Sequence, residues 1–392
     1  MDYLVIARKY RPQTFAEVAG QDVISRTLTN AIGKGRIAHG FLFTGPSGVG
    51  KTTMARILAK ALSCETGITS EPCGVCDHCK MIADSTHPDV FEIDAATHNG
   101  VDDVRELAER ATYSPTMGRY RIYILDEVHM LSQAAWNALL KLLEEPPPHV
   151  YFIFATTEIE KVPATVVNRC QRFDFRSIDR EDIVDRLRDI SRAEGINLED
   201  PLLMRIARAA AGGMREAQTM LDQLIAMCDK EVTENDLNLL LGAARSDDLR
   251  GLVDDLLKGN AAGAIEALDR LCADGVAPAT FLEQLVEYVR MLLLITTCGP
   301  ESAPVQRLGS ADDTARAQAE GAGADKLLRM GQILVGSQQS MRHGVDARLQ
   351  LELAFVRIGQ LGEVLDVDGL LRRIERMEKS FASHGGLAAS PR

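Results

Sequence analysis

The chain has no segment both long and apolar enough to cross a bilayer. Its most apolar stretch, LEQLVEYVRMLLLI (282–295), is broken by Glu283, Glu287 and Arg290 and is shorter than a membrane span. The opening residues, MDYLVIARKYRPQ, lack a cleavable apolar run of signal-peptide length. These absences predict a cytoplasmic protein, where thiols stay reduced and a disulfide framework is not expected. No repeat recurs at a fixed period, so no repeat architecture is expected. Excess positive charge is also missing. A net charge of −12 over 392 residues argues against a surface coated for nucleic acid. The deficit is uneven, however. Residues 1–60 hold nine Lys/Arg (8, 9, 11, 26, 34, 36, 51, 56 and 60) against three acids, a local balance of +6. Such a patch can face nucleic acid, or it can be scatter around one phosphate site, and charge alone does not choose.

What is present is ordinary in bulk and specific in detail. Apolar residues make up 46% and charged residues 26%, a globular balance, and the length suits two or three domains. Up to about residue 178, strand and helix signals alternate. FLFTG (41–45), DVFEIDAA (89–96), RIYILDE (121–127) and VYFIFATT (150–157) read as strands, the last two buried on both faces. TTMARILAKAL (52–62) and VDDVRELAERA (101–111) read as helices, the second after an Asn99-Gly100 turn. Between the last two strands, Trp136, Leu139, Leu140 and Leu143 share one helical face, with Ser132 as N-cap and Pro146–Pro148 as terminator. Strands separated by helices predict an α/β fold with a parallel sheet covered on both faces. Beyond 178 strand signals vanish. Asp179 is expected to cap a helix whose inner face is Ile183, Leu187 and Ile190 and which stops at Gly195. Gly242 and Ser246-Asp-Asp mark a break, after which 243–368 reads as a second all-helical unit. PESAPVQRLGSADDT (300–314) reads as a long loop, and 369–392 as a disordered tail.

GPSGVGKTT (45–53) fits G-x-x-x-x-G-K-[ST] between a strand and a helix, the setting a phosphate-binding loop requires. Gly45, Gly48 and Gly50 let backbone N–H groups turn inward beside Ser47, Val49 and Thr53, and the helix N-terminus adds its dipole. Lys51 is placed to reach the β- and γ-phosphates of ATP, and Thr52 to bind Mg²⁺. The strand ending Asp126-Glu127 supplies the usual partners: a carboxylate for Mg²⁺ at Asp126 and a candidate general base at Glu127. Ala155-Thr156-Thr157 ends the next strand with hydroxyls at the sheet edge where ligands of open α/β sheets bind.

Cysteines 64, 73, 76 and 79 have the spacing C-x8-C-x2-C-x2-C. In a reducing compartment four thiolates at this spacing suit tetrahedral Zn²⁺, with no position left for water, so the site is structural. His78 and His87 allow a Cys₃His alternative, and iron–sulfur ligation is a lesser option. A redox Cys76-x-x-Cys79 pair would leave Cys64 and Cys73 unexplained. Cysteines 170, 228, 272 and 298 are isolated in apolar contexts and are expected to be buried. Arg169 and Arg215 stand at helix boundaries. Physics alone reads each as a surface or ion-paired arginine.

Taken together, these residues resemble the AAA+ ATPases, and more narrowly the gamma/tau clamp-loader ATPase subunits of bacterial DNA polymerase III. The resemblance runs from about Tyr3 to about 368. ARKYRPQTFAEVAGQD, LEEPPPHVYFIFATTE, Asn168-Arg169-Cys170 and the cysteine module after the phosphate-loop helix carry it. It implies an ATPase domain at 1–178 with a zinc module at 64–79, a helical lid at 179–242 and an oligomerisation collar at 243–368. It implies that Tyr10, Arg11, Pro12 and Val18 line the base and ribose. Thr157 becomes a sensor hydroxyl, Arg215 a second sensor in the lid, and Arg169 an arginine finger acting in a neighbouring subunit. Asn168 departs from the serine usual before that arginine. The implied machine is a hetero-pentamer that uses ATP binding to hold a sliding clamp open and hydrolysis to release it on primed DNA. It would contact DNA through the backbone, since no base-reading motif is visible. A different AAA+ DNA motor, a non-hydrolysing scaffold subunit and a zinc-dependent nucleic-acid-binding protein are the competing functions.

Overall fold

The computed structural model describes residues 4–228, 232–308, 312–342 and 344–362. The segment 363–392, which contains the tail expected to be disordered, lies outside the described residues. The chain divides into two compact units between Thr233 and Glu234.

The first unit is built on five parallel strands: β1 (Gly40–Thr44), β2 (Val90–Asp94), β3 (Arg121–Asp126), β4 (Val150–Thr156) and β5 (Gln171–Asp174). Their order is β2-β3-β4-β1-β5, with Gly40 opposite Phe152 and Arg121 opposite Val150. The continuous apolar runs β1, β3 and β4 occupy the middle and are buried almost throughout. Strands without a polar face require cover on both sides. Alternation along the strands divides that cover. Phe41, Phe43, Ile122, Ile124 and Ile153 pack with the helices Asp22–Gly33 and Lys51–Ser63. Leu42, Tyr123, Leu125, Phe152 and Phe154 pack with Val101–Ala111 and Gln133–Glu144.

β5 is a strand that the sequence patterning missed. Only Phe173 of its four residues is buried, and four mostly polar residues carry too little alternation to register as a strand. Ser132 caps the helix Gln133–Glu144 as expected, its Oγ accepting from the Ala135 N–H at 3.2 Å. Asp179 stands at the cap position of Arg180–Ala193, but its side chain makes no capping hydrogen bond. Gly195 ends that helix in the left-handed conformation (φ 75°).

All five strands end on a small polar residue: Thr44, Asp94, Asp126, Thr156 and Asp174. That edge of an open parallel sheet is where ligands gather. Beyond β5 the first unit continues as the helices Arg180–Ala193, Asp200–Ala209 and Met214–Met227.

The second unit is all-helical among its described residues, from Glu234–Leu241 to Ala347–Gly359. Its central helix is Pro278–Cys298, which buries Phe281, Leu282, Leu285, Val289 and Leu292 against neighbouring helices. The expected loop at 300–314 contains a short helix, Ala303–Leu308, because Val305 is fully buried in that core and anchors the turn. No helix among the described residues is long and apolar enough to cross a membrane.

Candidate nucleotide and metal sites

The phosphate loop springs from β1 and leads into the helix Lys51–Ser63. Gly45, Gly48 and Gly50 all have positive φ (142°, 72° and 102°). At Gly45 a side chain has no room either, since a Cβ would lie 2.4 Å from the Phe175 carbonyl oxygen. Lys51 is 6% exposed, and its Nζ donates to the carbonyls of Gly45 (2.8 Å) and Pro46 (2.6 Å). Burial pulls its ammonium below the ordinary lysine range, while Glu127, Asp126 and Glu216 pull it back toward charge. Thr52 Oγ1 donates to Asp126 Oδ2 at 2.5 Å. The two proposed Mg²⁺ ligands, far apart in sequence, therefore meet at the end of β3.

Glu127 follows in the left-handed conformation (φ 47°), which turns its side chain off the strand direction. Its Oε2 accepts from Thr157 Oγ1 at 3.1 Å and from Thr157 N at 3.4 Å. A cavity of about 390 Å³ opens over this loop. Arg8, Arg11, Lys51, Arg186 and Arg215 line it against Glu17, Asp126 and Glu127, a cationic excess suited to an anionic ligand. Pro12 and Val18 are on the same wall, with Ser47, Gly48, Val49, Gly50, Thr52 and Thr53.

The cysteine cluster lies at the other end of the phosphate-loop helix. Cys64 is the residue after its last turn, Cys76 precedes the helix Asp77–Ala83, and Cys79 is inside it. The Sγ atoms of Cys64, Cys73, Cys76 and Cys79 all lie within 4.8 Å of one another. Tetrahedral Zn–S bonds place thiolates about 3.8 Å apart, so this donor set fits such an ion with little movement. Backbone N–H groups of Cys73 and Cys76 point at Cys64 Sγ and Cys73 Sγ (3.4 Å each), as donors to thiolates do. His78 faces His87 instead (2.8 Å between Nδ1 and Nε2), which leaves the four sulfurs as the assembled set. One turn before Cys64, Lys60 is 3% exposed, and its Nζ donates to Gln13 Oε1. Burial lowers its pKa, and the neighbouring Cys79 and Glu17 raise it. Gln13 in turn donates to the carbonyl of Arg11 at 2.8 Å.

Three family descriptions match successive parts of the chain. Residues 20–179 match "DNA polymerase III, delta subunit", 182–230 match "DNA polymerase III clamp loader subunit, ATPase lid domain", and 232–374 match "DNA polymerase III subunits gamma and tau domain III". The DNA polymerase III subunit tau of Bacillus subtilis is 40% identical over 384 residues, covering 97% of this chain and 68% of the relative. This chain belongs to the gamma/tau family. The gamma/tau subunit of Mycobacterium tuberculosis is 40% identical over 382 residues, covering 96% of this chain and 66% of that one. The Escherichia coli tau subunit is 42% identical over 295 residues, 75% of this chain and 46% of that one. The chain thus spans about two thirds of the Bacillus relative and under half of the Escherichia one. The parallel sheet, the lid and the helical C-terminal region are the fold expected of this family.

Other residues singled out from the sequence lie away from the cavity. Tyr10 is not on the cavity wall; its ring lies beside Lys9 Nζ (5.3 Å to the centroid), and its carbonyl accepts from Arg186 at 3.0 Å. Thr157 is brought to Glu127 rather than to the cavity wall. Arg169 sits apart, paired with Glu144 at 2.5 Å and donating to the Thr165 carbonyl at 2.7 Å. The remaining cysteines are not the buried group expected. Cys170, Cys228 and Cys272 are half-buried and Cys298 is exposed, each standing at or beside the end of an element, where fewer neighbours cover it.

Several residues of the site escaped sequence reasoning, among them the cavity-lining Arg8, Glu17 and Arg186, and Glu216 is the most closely engaged. Glu216, in the first turn of the helix Met214–Met227, lays its carboxylate on the phosphate loop, where Oε1 accepts from Ser47 Oγ at 3.2 Å. Its Oε2 is buried without a hydrogen-bond partner. Beside it the Met214 N–H donates to the Gly48 carbonyl at 3.0 Å, so lid and loop also touch through backbone. The only sequence signal was an acid one position after Arg215, which is common in helix first turns.

Proposed function

We propose that this chain is the ATP-hydrolysing subunit of a clamp loader. The observation that carries this is the convergence of Lys51, Thr52, Asp126 and Glu127 on one cationic cavity that a lid arginine, Arg215, also lines. Arg11, Pro12 and Val18 hold the base and ribose, and the glycine loop and Lys51 hold the phosphates. Thr52 and Asp126 would hold Mg²⁺, which supplies charge neutralisation at the phosphates when bound. Glu127 accepts the proton of the attacking water, with Thr157 fixing its carboxylate. Arg215 reads the γ-phosphate from the lid, and Arg169 acts in the site of an adjacent subunit. The cysteine cluster would hold structural Zn²⁺. In this reading 1–178, 179–242 and 243–368 act as motor, lid and collar.

The partners are companion subunits in a pentamer, a sliding clamp and the backbone of primed DNA. ATP can drive clamp opening only if it binds the clamp-competent state more tightly than the alternative. The test is Glu127→Gln in the full chain. ATP binding should persist while turnover falls by about 10²–10⁴, the usual worth of a positioned base. Turnover near the wild-type rate would refute the assignment.

A further inference from the structure

We propose that His129 is a positioning residue for Glu127 and ties that carboxylate to Glu158. The inference rests on Glu127 acting as the base.

His129 lies on the short turn Val128–Met130 directly after Glu127. Its side chain is only 9% exposed, and it is not on the cavity wall, whereas Glu127 is. The ring therefore approaches the carboxylate from behind. Nδ1 is 3.3 Å from Glu127 Oε2 and 3.1 Å from Thr156 Oγ1, and Nε2 is 3.3 Å from Glu158 Oε1. Glu158 is held in turn by Lys161 at 2.8 Å, which with His129 keeps its carboxyl below the usual range. The Glu158 N–H donates to Thr156 Oγ1 at 3.0 Å, closing the network at the end of β4.

The arrangement is directional. A neutral imidazole carries one N–H and one lone pair. With the proton on Nε2, the Nδ1 lone pair faces Glu127. With the proton on Nδ1, the Nε2 lone pair faces Glu158. Only the doubly protonated ring donates to both carboxylates at once. In that form His129 donates to Oε2 of Glu127 alongside Thr157, which leaves Oε1 as the oxygen to take the proton from water. This is the logic of a base oriented by a second group that is itself oriented by a third. A histidine retained only to satisfy a buried pocket would not be expected to affect turnover separately from nucleotide affinity.

The experiment uses the full chain assembled with its companion subunits and primed DNA. Affinity is read by titration with a fluorescent ATP analogue, and turnover by phosphate release. His129→Ala should leave Kd within about twofold and lower kcat by about tenfold or more, less than loss of the base itself. Glu158→Gln should give a smaller kcat loss at unchanged Kd, and His129→Gln, which keeps one donor, should recover part of the rate. A His129→Ala turnover within about twofold of wild type, beside an inactive Glu127→Gln, would overturn the inference and leave the base assignment standing. A Kd increase as large as the kcat loss would also overturn it. If His129→Ala fails to bind nucleotide at all, His129→Gln decides by the same criteria. Full turnover by Glu127→Gln would remove the base assignment and the role of His129 together.

Discussion

Glu216 sits in a slot between two glycines from different parts of the first unit. A Cβ on Gly48 would lie 1.8 Å from its Oε2, and one on Gly213 2.1 Å from the same atom. Gly213 has ordinary backbone geometry, so Gly213→Ala costs no strain but evicts the carboxylate. A carboxylate on the phosphate loop opposes an anionic ligand. Glu216→Ala and Gly213→Ala should therefore each tighten ATP binding by about fivefold, roughly 1 kcal/mol. The double variant should match either single one, because both remove the same contact. Additive changes in a nucleotide titration would show that the glycine acts elsewhere. Arg169 illustrates how residue-scale energetics leave a role open. Its pair with Glu144 is partly exposed, and such pairs are worth about 0–1 kcal/mol, so it breaks cheaply when a better anion is offered.

At the scale of elements, the phosphate-loop helix Lys51–Ser63 carries the proposed nucleotide ligands at one end and Cys64 just past the other, about 20 Å away. A chelator strong enough to strip Zn²⁺ should act first on the far end. Melting temperature should fall by more than about 5 °C, and amide exchange should rise around Cys64 and Asp77–Ala83. ATP affinity should change by only about twofold. A melting curve unmoved by chelation would show that the four thiols need no ion. The helices and central strands were legible in the sequence for a physical reason. β1, β3 and β4 are buried on both faces and so read as unbroken apolar runs, and the glycine spacing of 45–53 encodes a backbone geometry directly. β5 and Ala303–Leu308 were not legible, since each depends on a single buried side chain, Phe173 or Val305. The contacts of Glu216 and His129 were hidden for another reason: they join residues brought together only by the chain's return, and neither motif nor period marks them.

At the scale of the whole molecule, hydrolysis should depend on neighbours. Arg169→Lys should bind ATP normally yet reduce DNA-stimulated turnover by about a hundredfold or more when every ATPase subunit carries it, since a finger in trans is worth about 10³–10⁵. Mixed assemblies should lose activity at the site adjoining the variant rather than at its own. Normal stimulated turnover in the uniform variant assembly would remove Arg169 from the mechanism.

The ammonium of Lys60 links these scales through charge balance. Burial pulls its charged form down, and Cys79, once it is a thiolate, and Glu17 favour that form. Four thiolates around a divalent cation would carry a net charge of about −2, and Lys60 would then be part of the counterion of that half-buried cluster. A buried cation stripped of its counter-charge costs several kcal/mol, about as much as many domains have to spare. Over evolutionary time the cysteines and this lysine should therefore be inherited as one unit. A lineage that discarded the metal while keeping Lys60 would leave Gln13 and Glu17 to hold that ammonium, and the first compensating change would be expected at position 60.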